Sequence, residues 1–198
     1  MGRPREFEID KAIEKATGLF WRHGYEGTSL SDLTKELGIS PPSFYFAFKN
    51  KEGLFKRVIE RYFAEQTEGV EAACQEPTAR TVAARLLNSY ADVLTDRHHA
   101  PGCLVMNSAL PCAAGDPIRQ WLADLRERTR LRLRDRFAYA RRTGDLPKSA
   151  DPDALARLVT TIAWGMAVEA QSGAGRKDLH RTVELALATW PHGRAAAG

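Results

Sequence analysis

The stretch Ser29-Leu30-Ser31-Asp32-Leu33 is followed by Leu37-Gly38-Ile39-Ser40 and then by Pro41-Pro42-Ser43-Phe44-Tyr45-Phe46. Ser29 carries the hydroxyl of an N-cap. Asp32, three residues on, can accept a hydrogen bond from the cap's own N–H. A helix therefore begins there, and Gly38 closes it, because glycine readily takes the left-handed conformation that ends helices. Ser40 opens a second helix, with Pro41 at the first helical position, where a missing N–H costs nothing. Two short helices joined by residues 37–40 make a helix-turn-helix, with Leu33, Leu37 and Ile39 as its packing side. The second helix is short and narrow enough to enter a DNA major groove.

The outer surface of that second helix is small and aromatic: Ser40, Pro41, Pro42, Ser43, Tyr45 and Phe46. It lacks the arginines that read guanine. Ser43 can bond a base edge or a phosphate. Pro41, Pro42 and Phe46 can touch thymine methyls, and the Tyr45 hydroxyl can reach a phosphate. Lys51, at the start of the next helix, joins a cation to free backbone N–H groups and is a candidate phosphate clamp. Thr28 and Ser29 can do likewise one helix earlier. Short helix pairs with a glycine turn occur in many folds, so the layout alone leaves other uses open.

Outward from this motif the punctuation stays helical. Upstream, Ile9, Ile13, Ala16 and Phe20 recur at helical spacing before Gly24. Downstream, Asn50 caps a helix over about 51–74, and Pro77-Thr78 opens one that reaches about residue 97. A break over 98–102 precedes a short helix over about 103–111. Longer helices run from Asp116-Pro117 to Gly144, from Asp151-Pro152 to about 172, and over about 177–190. No segment alternates like a strand. The expectation is an all-α chain of about nine helices. A three-helix DNA-binding domain over 1–50 continues through the connecting helix into a helical ligand-binding and dimerisation domain over 51–198.

Composition narrows the alternatives. The 198 residues are 43% hydrophobic and 27% charged, which argues against global disorder. No run of about 18 apolar residues occurs, so no membrane span is expected. No apolar stretch follows Met1-Gly2-Arg3-Pro4-Arg5-Glu6, so no secretory signal is expected. Three scattered cysteines do not make a disulfide framework, which points to a reducing cytoplasm. The net charge of +4 permits nucleic-acid binding without establishing it.

The run Gly27-Thr28-Ser29-Leu30-Ser31-Asp32-Leu33, then Leu37-Gly38-Ile39-Ser40, then Ser43-Phe44-Tyr45-Phe46-Ala47-Phe48-Lys49-Asn50-Lys51-Glu52-Gly53-Leu54, resembles the DNA-binding domain of the TetR family of transcriptional regulators. Ala16, Leu19, Phe20, Gly24 and Tyr25 fit the same pattern, and the resemblance is specific over about residues 7–60. It implies a homodimer on a palindromic operator, usually a repressor, released by a ligand in the C-terminal domain. It also implies that Thr28, Ser29, Ser40, Pro41, Ser43, Tyr45, Phe46 and Lys51 occupy the family's base- and phosphate-contacting positions. Many members have a polar residue where this chain has Pro41, and a histidine or glycine where it has Ala47, so the operator sequence is this chain's own.

In the family the last two helices of each chain form the dimer interface. Leu155, Val159, Ile162, Ala163, Met166 and Ala167 make one candidate stripe, and Leu179, Val183 and Leu187 another. The same stripes can equally face their own core, which periodicity cannot separate. Candidate effector contacts are Tyr90, Cys103, Met106, Asn107, Trp121, Leu125, Trp164 and Glu169. With no charge cluster among them, an apolar or aromatic small molecule is expected, and no cofactor.

Cys103 follows Pro101-Gly102 at a helix start, where the dipole favours an anion, with Arg97, His98 and His99 just upstream. It reads as a sensor of oxidants or electrophiles, or as a small buried residue under a turn. His98, His99, Cys103 and Cys112 have ligand-type side chains, but their spacing matches no compact metal site, so no metal is expected. Arg126, Arg128, Arg130, Arg132, Arg134 and Arg136 alternate along one helix and read as solvated charges. Two other classes stand beside the regulator: a thiol enzyme using Cys103 with His98 or His99, and an adaptor that binds only proteins.

Overall fold

A computed structural model describes the backbone of residues 3–109 and 116–191 and the side chains of residues 9–108 and 116–191. Cys112 lies outside the described residues. Among these, nine helices and no strand occur: α1 (Arg3–His23), α2 (Leu30–Leu37), α3 (Pro41–Phe48), α4 (Lys51–Cys74), α5 (Ala79–Leu94), α6 (Leu104–Ala109), α7 (Pro117–Arg142), α8 (Pro152–Gln171) and α9 (Arg176–Ala188).

The helix boundaries follow from local chemistry. Ser29 caps α2 by accepting the Asp32 N–H at 3.1 Å, while Asp32 accepts the Ser29 N–H at 3.0 Å, so the reciprocal capping box forms with aspartate. Gly38 ends α2 at φ 67°; its N–H bonds Lys35 O and the Ile39 N–H bonds Thr34 O, a Schellman turn. Ser40 caps α3 above Pro41, and Asn50 caps α4 by accepting the Gly53 N–H at 2.7 Å. Asp116 and Asp151 cap the proline-initiated α7 and α8. Each such cap contributes about 1 kcal/mol. α5 ends at Leu94, short of the expected residue 97, because the chain turns there and Gly102 N–H reaches back to Leu94 O.

α1 packs on α2, α4 and α6, and α3 on α4. The aromatic centre of this end is Phe20 against Phe55 (centroids 5.0 Å apart) and Phe44 against Phe48 (5.4 Å). In the other end α5 packs on α8 and α9, and α7 lies along α8. Phe137 and Trp190 meet there at 5.5 Å. α4 touches α1, α3, α5 and α7, so its 24 residues couple the helix-turn-helix to the C-terminal bundle.

The arginine-rich α7 departs from the solvated reading. Arg130 is buried and bonds Glu127 and Asp153. Arg132 makes a two-bond fork to Glu71, both at 2.6 Å. Arg136 donates to the carbonyls of Cys74 and Glu76 at the end of α4. Strict alternation on a helix sends successive residues to different faces, and several of those faces meet neighbours.

Candidate nucleic-acid interface and effector cavity

α3 has two sides. Phe44 and Phe48 are buried in the core, while Ser40, Pro41, Pro42, Ser43, Tyr45 and Phe46 are exposed. Phe46 is 76% exposed, an unfavourable place for a phenylalanine unless something covers it. The Ser40 and Ser43 hydroxyls lie 3.0 Å apart and lock the first turn. Lys51 is anchored: its Nζ donates to Tyr25 O at 3.0 Å and stands 4.2 Å from the Tyr25 ring centre. An ammonium has three donors, so this bond leaves two for a phosphate.

Thr28 is the exception among the nine expected DNA contacts. It is 1% exposed and its hydroxyl donates to Gly24 O at 2.7 Å. It holds the turn between α1 and α2 and offers its side chain to no phosphate. The exposed Ser29 shares its hydroxyl with the Asp32 carboxylate at 2.6 Å.

A cavity opens between α4, α5, α6, α7 and α8. Its apolar wall includes Phe63, Leu86, Leu94, Met106, Trp164 and Ala167; its polar wall is Gln66, Tyr90, Cys103, Arg126, Thr129 and Thr160. The void at its centre is about 30 Å³, room for roughly one water molecule. An outer recess of about 150 Å³, between α4 and α5, shares Gln66, Leu86 and Tyr90 with it. The cavity is therefore contracted, and an organic molecule must spread its walls to fit.

Four of the eight expected effector contacts line this cavity: Tyr90, Cys103, Met106 and Trp164. The other four go elsewhere. Asn107 donates from Nδ2 to Trp21 O at 3.1 Å and ties α6 to α1. Trp121 packs edge-on against Phe55, Leu125 is buried in the core, and Glu169 is exposed. The sequence reading missed Gln66, Arg126, Thr129 and Thr160. The thiol at Cys103 is 8% exposed and accepts a hydrogen bond from the Tyr62 hydroxyl at 3.5 Å. Burial, and then the neighbouring Cys103, push the Tyr62 hydroxyl well above its usual range, so it stays a donor. Neither histidine partners the thiol. His98 is exposed and bonded to Asp96, and His99 stacks on Trp21 at 4.2 Å.

These contacts link the cavity to the helix-turn-helix. Tyr62, bonded to Cys103, meets Trp21 of α1 edge-on at 5.1 Å. His99 stacks on the same indole, and Asn107 donates to the Trp21 backbone carbonyl.

For the candidate dimer stripes, the single chain shows burial in its own core, one of the two alternatives that periodicity leaves open. Leu155, Val159, Ala163, Met166, Ala167, Leu179, Val183 and Leu187 are buried within their own chain, and Ile162 is partly buried. The large apolar residues left exposed on these helices are Leu158 and Val168 on α8 and Leu185, 73% exposed, on α9.

Residues 12–58 match the family described as "Bacterial regulatory proteins, tetR family", and residues 81–186 match "Tetracyclin repressor-like, C-terminal domain". The chain is 33% identical over 200 residues to the HTH-type transcriptional repressor ComR of Escherichia coli K12, covering 96% of this chain and 92% of that protein. Among solved structures, the regulator CifR in complex with 26-bp double-strand operator DNA is 34% identical with a TM-score of 0.85, covering 92% and 96% of the two chains. A TetR regulator from Rhodococcus sp. RHA1 is 41% identical with a TM-score of 0.65, covering 92% and 98%. The exposed second helix of the turn motif, the all-helical C-terminal bundle and these matches agree: the chain belongs to the TetR family of DNA-binding transcriptional regulators.

Proposed function

We propose that this protein is a homodimeric repressor that holds a palindromic operator through α3 and releases it when a small molecule enters the α4–α8 cavity. The observation that carries the reading is the division of α3. Phe44 and Phe48 fix it to the core while Tyr45, Phe46 and the serine-proline turn stand in solvent. The 26-bp operator complex of CifR and the repressor ComR are relatives that support DNA binding and the sign of regulation. The expected contacts are Ser29, Ser40, Pro41, Pro42, Ser43, Tyr45, Phe46 and Lys51, with Thr28 as a buried support.

The dimer face in this reading is the outer side of α8 and α9: Leu158, Thr161, Gly165 and Val168, with Leu185 and Ala188. Positions 158, 161, 165 and 168 share one helix face. Gly165 supports it. An added β-carbon there would meet nothing within 4 Å, so no neighbour in its own chain requires the glycine. A glycine inside a helix costs about 1 kcal/mol relative to alanine, and close approach of a partner helix gives it a use.

Release follows from the contacted route. A molecule that spreads α4 from α5 moves Tyr62 and the Cys103–α6 segment, both of which grip Trp21 of α1. The two α3 helices of a dimer must sit roughly 34 Å apart or a multiple of it, so only a ligand that prefers another spacing releases DNA. A second reading has a specific observation behind it: the Cys103 thiol lines the cavity and bonds Tyr62 on that same route. Modification of the thiol would then act as the effector.

Selection of genomic fragments by the purified protein tests the proposal. It predicts an inverted repeat and two chains per site. Enrichment of no sequence would contradict it. Alkylation of Cys103 with N-ethylmaleimide separates the readings: release of the selected DNA supports the thiol sensor, and retention removes it.

A further inference from the structure

Arg126 is the one arginine of the α7 series that lines the cavity. Its guanidinium carbon stands 5.8 Å from the Trp164 ring centre. Its Nη1 is closed off from solvent and bonds no group among the described residues. Nearby arginines on the same helix are satisfied: Arg130 by Glu127 and Asp153, Arg132 by Glu71. Among the described residues the inner cavity wall carries no acidic side chain. Glu65, exposed on α4, lines the outer recess and not the inner wall. The segment 110–115 preceding α7, Leu-Pro-Cys-Ala-Ala-Gly, has no carboxylate in its sequence. Burial depresses the Arg126 pKa; Cys103 partly offsets this, and Arg119 adds repulsion. A partly desolvated guanidinium without an acid is unfavourable, and a protein that keeps one inside a cavity gains from it when an anion arrives.

We propose that the effector is a small organic carboxylate with an apolar, preferably aromatic, body. The inference rests on the effector reading given above and specifies its chemistry. The carboxylate accepts from Arg126, a planar fork matched to that group. Gln66 and Thr129, whose side chains make no hydrogen bond among the described residues, supply further donors beside it. The apolar body lies against Phe63, Leu86 and Trp164. This adds an anionic group to the apolar or aromatic molecule expected from sequence, because the cation comes from a helix whose charges were read as solvated.

The test is calorimetric titration of the full-length protein with benzoate and hexanoate, each against its uncharged amide. The proposal predicts that the acids bind about tenfold or more tightly than the amides, since one charge-assisted pair is at stake. Arg126→Met should reduce acid binding to the amide level while raising the melting temperature, because it removes a desolvated charge. Arg126→Lys should keep a preference for acids. Amides that bind as well as acids, unchanged acid affinity in Arg126→Met, or no binding of any probe would each overturn it. Operator binding measured on the same samples keeps the two readings apart. An acid that binds through Arg126 without releasing DNA supports the anion site and contradicts its role as effector site.

Discussion

At residue 53 a β-carbon would collide with the carbonyl oxygen of Phe48. Helix α4 can start so close behind α3 only because that residue is glycine. Lys49 lies between them at φ 67° and ψ −51°, and the Asn50 N–H reaches the Phe48 carbonyl at 2.8 Å, a strained γ-turn. Gly53→Ala should therefore cost about 2 kcal/mol and lower the melting temperature by roughly 4–8 °C, read by calorimetry. An unchanged melt would mean that the corner yields. Asp32 gives a pH signature. Its bonds to the Ser29 hydroxyl and N–H hold its carboxyl below the ordinary value of 3.8. Its stabilisation is full above that value and is lost as pH falls through the lower folded one. Melting temperatures of wild type and Asp32→Asn should differ at pH 6 and converge as the pH falls below 3.8; a constant gap would contradict the charged cap. The capping role of Ser29 was legible in the sequence because caps are local. The burial of Thr28 was not: its partner is the Gly24 carbonyl across a turn, and a hydroxyl before a helix looks the same inside or out.

Helix boundaries were legible for the same local reason, down to Pro41, Pro117 and Pro152 at their helix starts. Which face meets what was not. Leu155, Val159 and Met166 have the spacing of an interface, yet they fill their own chain's core. An apolar stripe says only that it is covered, while the exposed Leu158, Val168 and Leu185 stand out only once the core is known. Leu158→Glu with Leu185→Glu should convert the proposed dimer to folded monomers in analytical ultracentrifugation, because both side chains are already solvent-exposed in the single chain. A persistent dimer would move the interface elsewhere. The same element logic applies to α3. Tyr45→Ala should weaken operator binding without changing the melt, since half of the Tyr45 surface is exposed. Lys51→Ala should also flatten the dependence of log affinity on log salt by about one.

Across the whole molecule, the cavity is built by α4, α5, α6, α7 and α8 together, so no local spacing in the sequence outlines it. Tyr90, Cys103, Met106 and Trp164 were found as aromatic or sulfur-bearing residues of the C-terminal half. Gln66 was missed because it sits on the connecting helix, and Arg126 because it is one of six regularly spaced arginines. In the proposed mechanism the Cys103–Tyr62–Trp21 contacts carry a widening of the cavity to α1, which packs on α2 and on α4, the helix that carries α3. That account has no force unless α3 holds DNA. The most direct measurement is a fluorescence-anisotropy titration of the selected operator and a scrambled duplex, at several salt concentrations, with wild type and Tyr45→Ala. The prediction is preferential binding of the operator that weakens with salt and is lost, with the dimer intact, in the variant. Equal affinity for both duplexes, or an unaffected variant, would contradict the docking of α3.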